Sequence, residues 1–251
     1  MAKPITIDIL DNDDVKTILS KIERTYINKL LDGRIRSIPW WNLESEEPVI
    51  RNNFYELQKK EDYCSYERYL ELKDKPLEET NYAHPFKCLK RPRIGALHSR
   101  KDYFYDNFYN DLIPLLEPYV KSFVGDYYSQ NKLVESNAPM WYTNVEDVNG
   151  FMGWHTNCNN PGWRFYLVYN PDENTSFFRY IKNNEMVTEW EPQGWILNGF
   201  YASDCDNPLW HCIYTKTNRF SFGLRIDDEE WIDRGFDRGK MDALIDLKSW
   251  R

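Results

Sequence analysis

Along the N-terminal half of the chain the apolar positions recur at three- and four-residue steps. Between Asp13 and Leu31, the residues Val15, Ile18, Leu19, Ile22, Tyr26 and Leu30 form one stripe behind an acidic first turn, which predicts an amphipathic helix. A second helix is expected over about Asn53 to Lys73 and a third over about Lys101 to Gln130. The third carries Leu112, Ile113, Leu116, Val120 and Phe123 on one face. Its Pro114 and Pro118 are expected to kink or divide it, because proline removes a helical donor and crowds the preceding turn. The stretch from Asn81 to Arg100 holds two prolines and a glycine and reads as a long surface loop.

From Pro139 onward the period changes. Short apolar and aromatic runs separated by Asn, Asp, Gly and Pro occur at 140–145, 163–169, 176–181, 185–190, 194–200, 210–214 and 219–226. Short strands with turn punctuation at this spacing predict a sandwich or jelly roll, not alternating βαβ units. Lys182-Asn183-Asn184 and Lys216-Thr217-Asn218 read as hairpin turns, since asparagine tolerates positive φ. The expected fold is therefore mainly β. Residues 1–138 form a helical and irregular support, 139–227 the β core, and 228–251 a C-terminal extension expected to be helical.

Composition narrows the function. A chain of 251 residues can bury a sizeable core as one large domain. Its 32 Lys and Arg against 40 Asp and Glu give a net charge of −8, so non-specific nucleic-acid binding over the whole surface is excluded and any such contact has to be local. One basic run does stand out. From Lys87 to Lys101, six basic residues occur with no acidic one, a solvated loop by default and otherwise a site for an anionic substrate. No apolar stretch is long enough to span a membrane or serve as a secretory leader, so a soluble, cytoplasmic chain is expected. Cysteines 64, 88, 158, 205 and 212 are odd in number and lack C-x-x-C spacing, which argues against a disulfide framework or thiolate zinc site and for a reducing compartment. Aromatic residues make up 16% of the chain, which excludes disorder and suits an aromatic β core.

Candidate chemistry lies with the histidines, of which there are four. His84 and His98 fall in loop-like sequence. His155 lies in Gly153-Trp154-His155-Thr156-Asn157, and Arg164 follows nine residues later. His211 ends Pro208-Leu209-Trp210-His211, and Arg219-Phe220-Ser221 begins eight residues later. This pattern over about residues 139–227 resembles the Fe(II)/2-oxoglutarate-dependent dioxygenases, and most of all their prolyl-hydroxylase type. The resemblance implies a double-stranded β-helix, the cupin-like jelly roll. It also implies Fe(II) bound by His155, by the residue at 157 and by His211, with 2-oxoglutarate and O2 as co-substrates. On the same ground Arg219 and Ser221 would bind the far carboxylate of 2-oxoglutarate, and Arg164 would face the substrate.

Physical chemistry agrees with that assignment. Two imidazoles and a carboxylate on one face of octahedral iron leave three positions open, two for a chelating keto acid and one for oxygen. The keto acid's far carboxylate calls for an always-charged, bidentate partner, which arginine supplies. Tyr169 is a further donor to it. Tyr142 and Asn144, two residues apart on one strand, face the same way and are expected at the keto end. Trp154 is assigned to the substrate side as pocket wall.

Asn157 departs from the pattern, because a neutral amide oxygen is a poorer ligand for Fe(II) than a carboxylate. Three outcomes stay open: weak coordination in a working hydroxylase, a two-histidine site with a vacancy as in the superfamily's halogenases, or a lapsed site. Thr156-Asn157 also reads as a simple Asx turn. Asp204 and Asp206 are candidates to supply the missing carboxylate. The function expected is oxygenase hydroxylation of an unidentified substrate, whether peptide side chain, amino acid or nucleotide. The alternatives are a catalytically lapsed jelly-roll binding module and a halogenase. Cys158 and Cys205 have no histidine partner in the motif and are read as bystanders.

Overall fold

Asn12 sets the start of the first helix. Its side chain accepts from the backbone N–H of Asp14 and of Val15, and Asp13 and Asp14 place negative charge at the positive end of the helix dipole. In the computed structural model this helix, α1, spans Asp13–Ile22. It continues through a π-turn at Glu23–Ile27 into α2 at Asn28–Leu31, so the predicted helix is present with a change of pitch. The structure describes residues 4–32, 38–39, 64–75, 94–96, 109–125, 132–143, 149–158, 161–203 and 206–227. Within these, a third helix, α3, covers Tyr66–Leu72, its first turn capped by the Ser65 hydroxyl. The rest of the helix expected over Asn53–Lys73, back to 63, lies outside the described residues.

The fourth helix, α4, runs over Asn110–Val124 and is not divided at Pro114 or Pro118. Leu112, Leu116 and Val120, at four-residue steps, are buried together and hold one face of it against the sheet, which outweighs the lost backbone donors. No helix among the described residues is long and apolar enough to cross a membrane.

The described strands are β1 (Ile5–Ile7), β2 (Ile38–Pro39), β3 (Ile94–Ala96), β4 (Lys132–Thr143), β5 (Gly150–His155), β6 (Gly162–Asn170), β7 (Ser176–Lys182), β8 (Glu185–Trp190), β9 (Gly194–Ala202), β10 (His211–Thr215) and β11 (Asn218–Asp227). They form two antiparallel sheets, a large one ordered β1-β9-β6-β11-β4-β3-β2 and a small one ordered β5-β10-β7-β8. The protein is mainly β, as its sequence predicts. Residues 1–138 are more than a helical support, however. They supply β1, β2 and β3 to the large sheet, and β4 begins at Lys132, before the expected boundary at 139. Strands of two or three residues are too short to carry a readable alternation.

Alternation sorts the residues of the large sheet into two faces. Phe165, Leu167, Leu197, Phe220 and Phe222 pack against α1 and α4 in one core. The opposite face carries Arg164, Tyr166, Phe200, Arg219 and Ser221 toward the small sheet, where Tyr142 and Phe200 cluster with Met152, Phe178 and Ile213. The outer face of the small sheet is covered by α3, with Cys64 and Tyr69 against Trp154, Trp210 and Cys212. Gly199 is needed at its place on β9, since a Cβ there would come within 2.8 Å of the Phe165 ring on the paired strand.

The two predicted turns part company. Asn183 and Asn184 have φ of 52° and 62°, the two positive angles of a tight type I′ hairpin joining β7 to β8. The link at Lys216 and Thr217 instead carries the chain from β10 in the small sheet to β11 in the large one. Lys216 donates its N–H to Thr175 O, and Thr217 donates its N–H to the Thr215 hydroxyl. The expected C-terminal helix over 228–251 lies outside the described residues.

Candidate functional site

The pairing of β5 with β10 brings the two strand histidines together. In that antiparallel register His211 stands opposite His155, and cross-strand partners have side chains in contact. Their ring centroids are 4.1 Å apart, with the ring planes at 55°. Two imidazoles bound through Nε2 to one cation at about 2.1 Å and at right angles would have centroids about 4.5 Å apart, so the observed spacing is close to that of a shared ion.

Tautomer and orientation agree. His155 Nδ1 lies 2.8 Å from the Gly153 carbonyl oxygen, and His211 Nδ1 lies 2.9 Å from that of Leu209. A carbonyl oxygen only accepts, so each Nδ1 carries the hydrogen and each Nε2 presents its lone pair. A backbone carbonyl behind each imidazole is also the arrangement that fixes a metal-binding ring. His211 is 2% exposed and its ring lies against Phe200 and Phe178. Burial pushes its pKa down to about 4, opposed by the Leu209 carbonyl and reinforced by the charge of Arg164, so the ring is neutral near pH 7.

Asn157 reaches the His211 ring. Its φ is 56°, a left-handed conformation that Asn and Asp tolerate better than other side chains. From there Nδ2 lies 3.2 Å from His211 Nε2, donating to its lone pair. A half-turn of the amide would exchange Nδ2 for Oδ1 and aim an oxygen at a cation held there. The turn itself is made by Thr156, whose hydroxyl accepts from Cys158 N–H. The Asn157 amide nitrogen is thus directed at His211.

Among the described residues, no carboxylate joins the two histidines. Among the described residues no group of three His, Cys, Asp or Glu side chains is placed to hold a metal. Asp206 is exposed, and Asp204 lies outside the described residues. Among the described residues the donors at hand are two imidazole nitrogens and one amide. Such a set would suit a borderline divalent ion and would bind it more weakly than a triad with a carboxylate.

Arg219 is buried on the inner face of β11, and its fork is taken. Nε donates to Glu191 Oε2 and Nη2 to Glu191 Oε1, each at 2.7 Å, with both side chains at most 3% exposed. Glu191 accepts further bonds from the Ser176 hydroxyl at 2.7 Å, Asn198 Nδ2 at 3.0 Å and Asn170 Nδ2 at 3.4 Å. Burial pushes its carboxyl up. The charge and hydrogen bonds of Arg219, with Ser176 and Asn170, outweigh that and leave it below the ordinary carboxylate value. Nη1 of Arg219 is buried with no acceptor among the described residues. The expected bidentate clasp on the far carboxylate of 2-oxoglutarate does not fit this arrangement, because the chain's own carboxylate stands in that place. Sequence reasoning did not single out Glu191. The available signal was a buried strand arginine, which requires an acid nearby.

The remaining predicted residues divide. Ser221 shares the inner face with Arg219, and both Tyr142 and Arg164 are buried on it, Tyr142 with its ring 5.4 Å below the Arg219 guanidinium carbon. Tyr169, expected as a donor beside Arg219, is on the opposite face of the sheet. It is paired with Phe220, packs against the helical core and bonds Glu23, and burial with that contact pushes its pKa up to about 12. Trp154, expected to face substrate, points to the outer side of the small sheet, where its Nε1 donates to Ser65 O and its ring meets Tyr69. Both corrections follow from alternation, since neighbours along a strand face opposite ways. Asn144, and the basic residues of the Lys87–Lys101 run, lie outside the described residues.

Cysteine usage differs from expectation at one point, for Cys158 is disulfide-bonded. Cys64 and Cys212 are buried free thiols. Compared with known proteins, the chain matches no family model and no curated protein.

Proposed function

We propose that this chain is a mononuclear non-haem metal protein of the oxygenase kind, built on a double-stranded β-helix, with His155 and His211 as its metal ligands. The single observation that carries the reading is the cross-strand histidine pair, each ring with its Nδ1 held by a backbone carbonyl, which leaves Nε2 as the ligating nitrogen. Asn157 is the third protein contact, through its amide oxygen after the half-turn described above. Fe(II) bound here would supply activation of O2 for oxidation of an unactivated C–H bond. The chain's own part is narrower. Burial keeps His211 unprotonated, Phe178 and Phe200 keep water from one side of its ring, and Arg164 brings a positive charge to the same space. No step is derived through 2-oxoglutarate, because the Arg219 fork is engaged by Glu191. That same pair favours a second reading, in which the chain is a binding module that keeps the metal site and has given up the oxygenase reaction.

Titration of metal-depleted protein with Co(II), followed by its visible absorption, tests the metal site. One equivalent should bind to the wild type, with affinity lost in His155→Ala and His211→Ala and raised in Asn157→Asp. Unchanged binding in both histidine variants would refute the site. Addition of Fe(II) and pyruvate, a 2-oxo acid with no second carboxylate, without oxygen then separates the two readings. A charge-transfer band belongs to the oxygenase, and its absence from a metal-loaded protein belongs to the binding module.

A further inference from the structure

We propose that Glu191 is the residue that determines which anions the Arg219 fork can take. Its carboxylate occupies the fork of Arg219 that a dicarboxylate co-substrate would take, so the folded chain excludes dicarboxylates from Arg219. The inference rests on the metal-protein reading for its relevance to a co-substrate, and on the buried ion pair alone for its physical content.

The pair has the geometry a ligand carboxylate would adopt. Two adjacent guanidinium N–H groups meet two carboxylate oxygens at 2.7 Å each, the bidentate match for which arginine is suited. A competing ligand would have to replace more than those two bonds. Glu191 is also held by Ser176 on β7, Asn198 on β9 and Asn170 at the end of β6, and its backbone N–H donates to Ser176 O at 2.9 Å. Four strands thus converge on one carboxylate that is 3% exposed and sheltered from water. The donors form a ready-made carboxylate site, and the chain fills it itself.

What Arg219 has left is Nη1, buried and without an acceptor among the described residues. One guanidinium nitrogen makes a single-point contact, suited to one carbonyl or carboxylate oxygen. The native pocket therefore favours a ligand with one acceptor at this end, and removal of the Glu191 side chain converts the same donors into a bidentate anion site.

The test uses metal-free, full-length protein, with succinate and 2-oxoglutarate as probes and thermal midpoint and tryptophan fluorescence as readouts. The wild type should show no saturable response to either probe. Glu191→Ala should gain saturable binding at least about tenfold tighter than any wild-type response. That gain should vanish in the Glu191→Ala/Arg219→Met double variant. Glu191→Ser, which keeps a small polar side chain, gives the same comparison if the alanine variant does not fold. Dicarboxylate binding to the wild type as tight as to the variants would overturn the proposal, and so would a folded Glu191→Ala that binds neither probe. If neither single variant folds, the wild type decides, with saturable binding against the proposal and none in its favour. Because no metal is present, this outcome is independent of the Co(II) titration, and either can fail without the other.

Discussion

Replacing Arg219 by methionine removes the cation from a carboxylate that is only 3% exposed. Glu191 would keep the neutral donors Ser176, Asn198 and Asn170, while losing two charge-assisted bonds and its only buried counter-charge among the contacts above. Breaking a buried ion pair by deleting one partner costs about 3–5 kcal/mol. That is a large share of the roughly 5–15 kcal/mol that holds a typical domain folded. Replacing both partners, as in Arg219→Met/Glu191→Leu, should cost far less than the two single losses added together, because no uncompensated charge is left behind. Urea denaturation followed by far-UV circular dichroism measures all three variants, with a shift of midpoint at constant slope as the signature. A loss below about 1 kcal/mol for Arg219→Met, or single costs that simply add, would show that the pair is incidental to the fold and would remove the basis for treating Glu191 as fixed in place.

Further outcomes follow from other parts of the molecule. In metal-free protein, the unfolded chain protonates His211 near its ordinary value of 6.5 while the folded chain resists until about 4. Stability is then full above the upper value and declines as pH falls toward the lower one, by up to about 3 kcal/mol. His211→Asn should remove that part of the slope in denaturation curves measured across the window. Gly199→Ala should destabilise by about 1–3 kcal/mol, because its Cβ would press on the Phe165 ring. Thermal unfolding reads the effect, and an unchanged midpoint would show that the ring yields freely. Asn183→Val should weaken the β7–β8 hairpin by about 1 kcal/mol or more, since a β-branched side chain is strained at its φ of 52°, whereas Asn184→Gly should be tolerated. Chemical denaturation of the two variants side by side makes the comparison.

What the sequence determined by itself was local. The four-residue steps of Leu112, Leu116 and Val120, the acidic first turn at Asp13 and Asp14, and the paired asparagines of the β7–β8 turn are all properties of neighbouring residues, and each predicted the element found. The residue types of the cross-strand histidine pair were legible too, since His155 and His211 stood out beside apolar runs. Their register across β5 and β10 was not, because it is set by which strands pair. The face on which a strand residue lies was only half legible. Period two says that Arg219 and Tyr142 differ in facing from their immediate neighbours, but the side of the sheet taken by Tyr169 depended on where its strand met the helical core. Tertiary structure alone decided the partner of Arg219. Glu191 stands 28 residues away, and nothing in local spacing selects a particular acid. Only the closing of four strands brings that carboxylate to the fork, where burial makes the pairing obligatory.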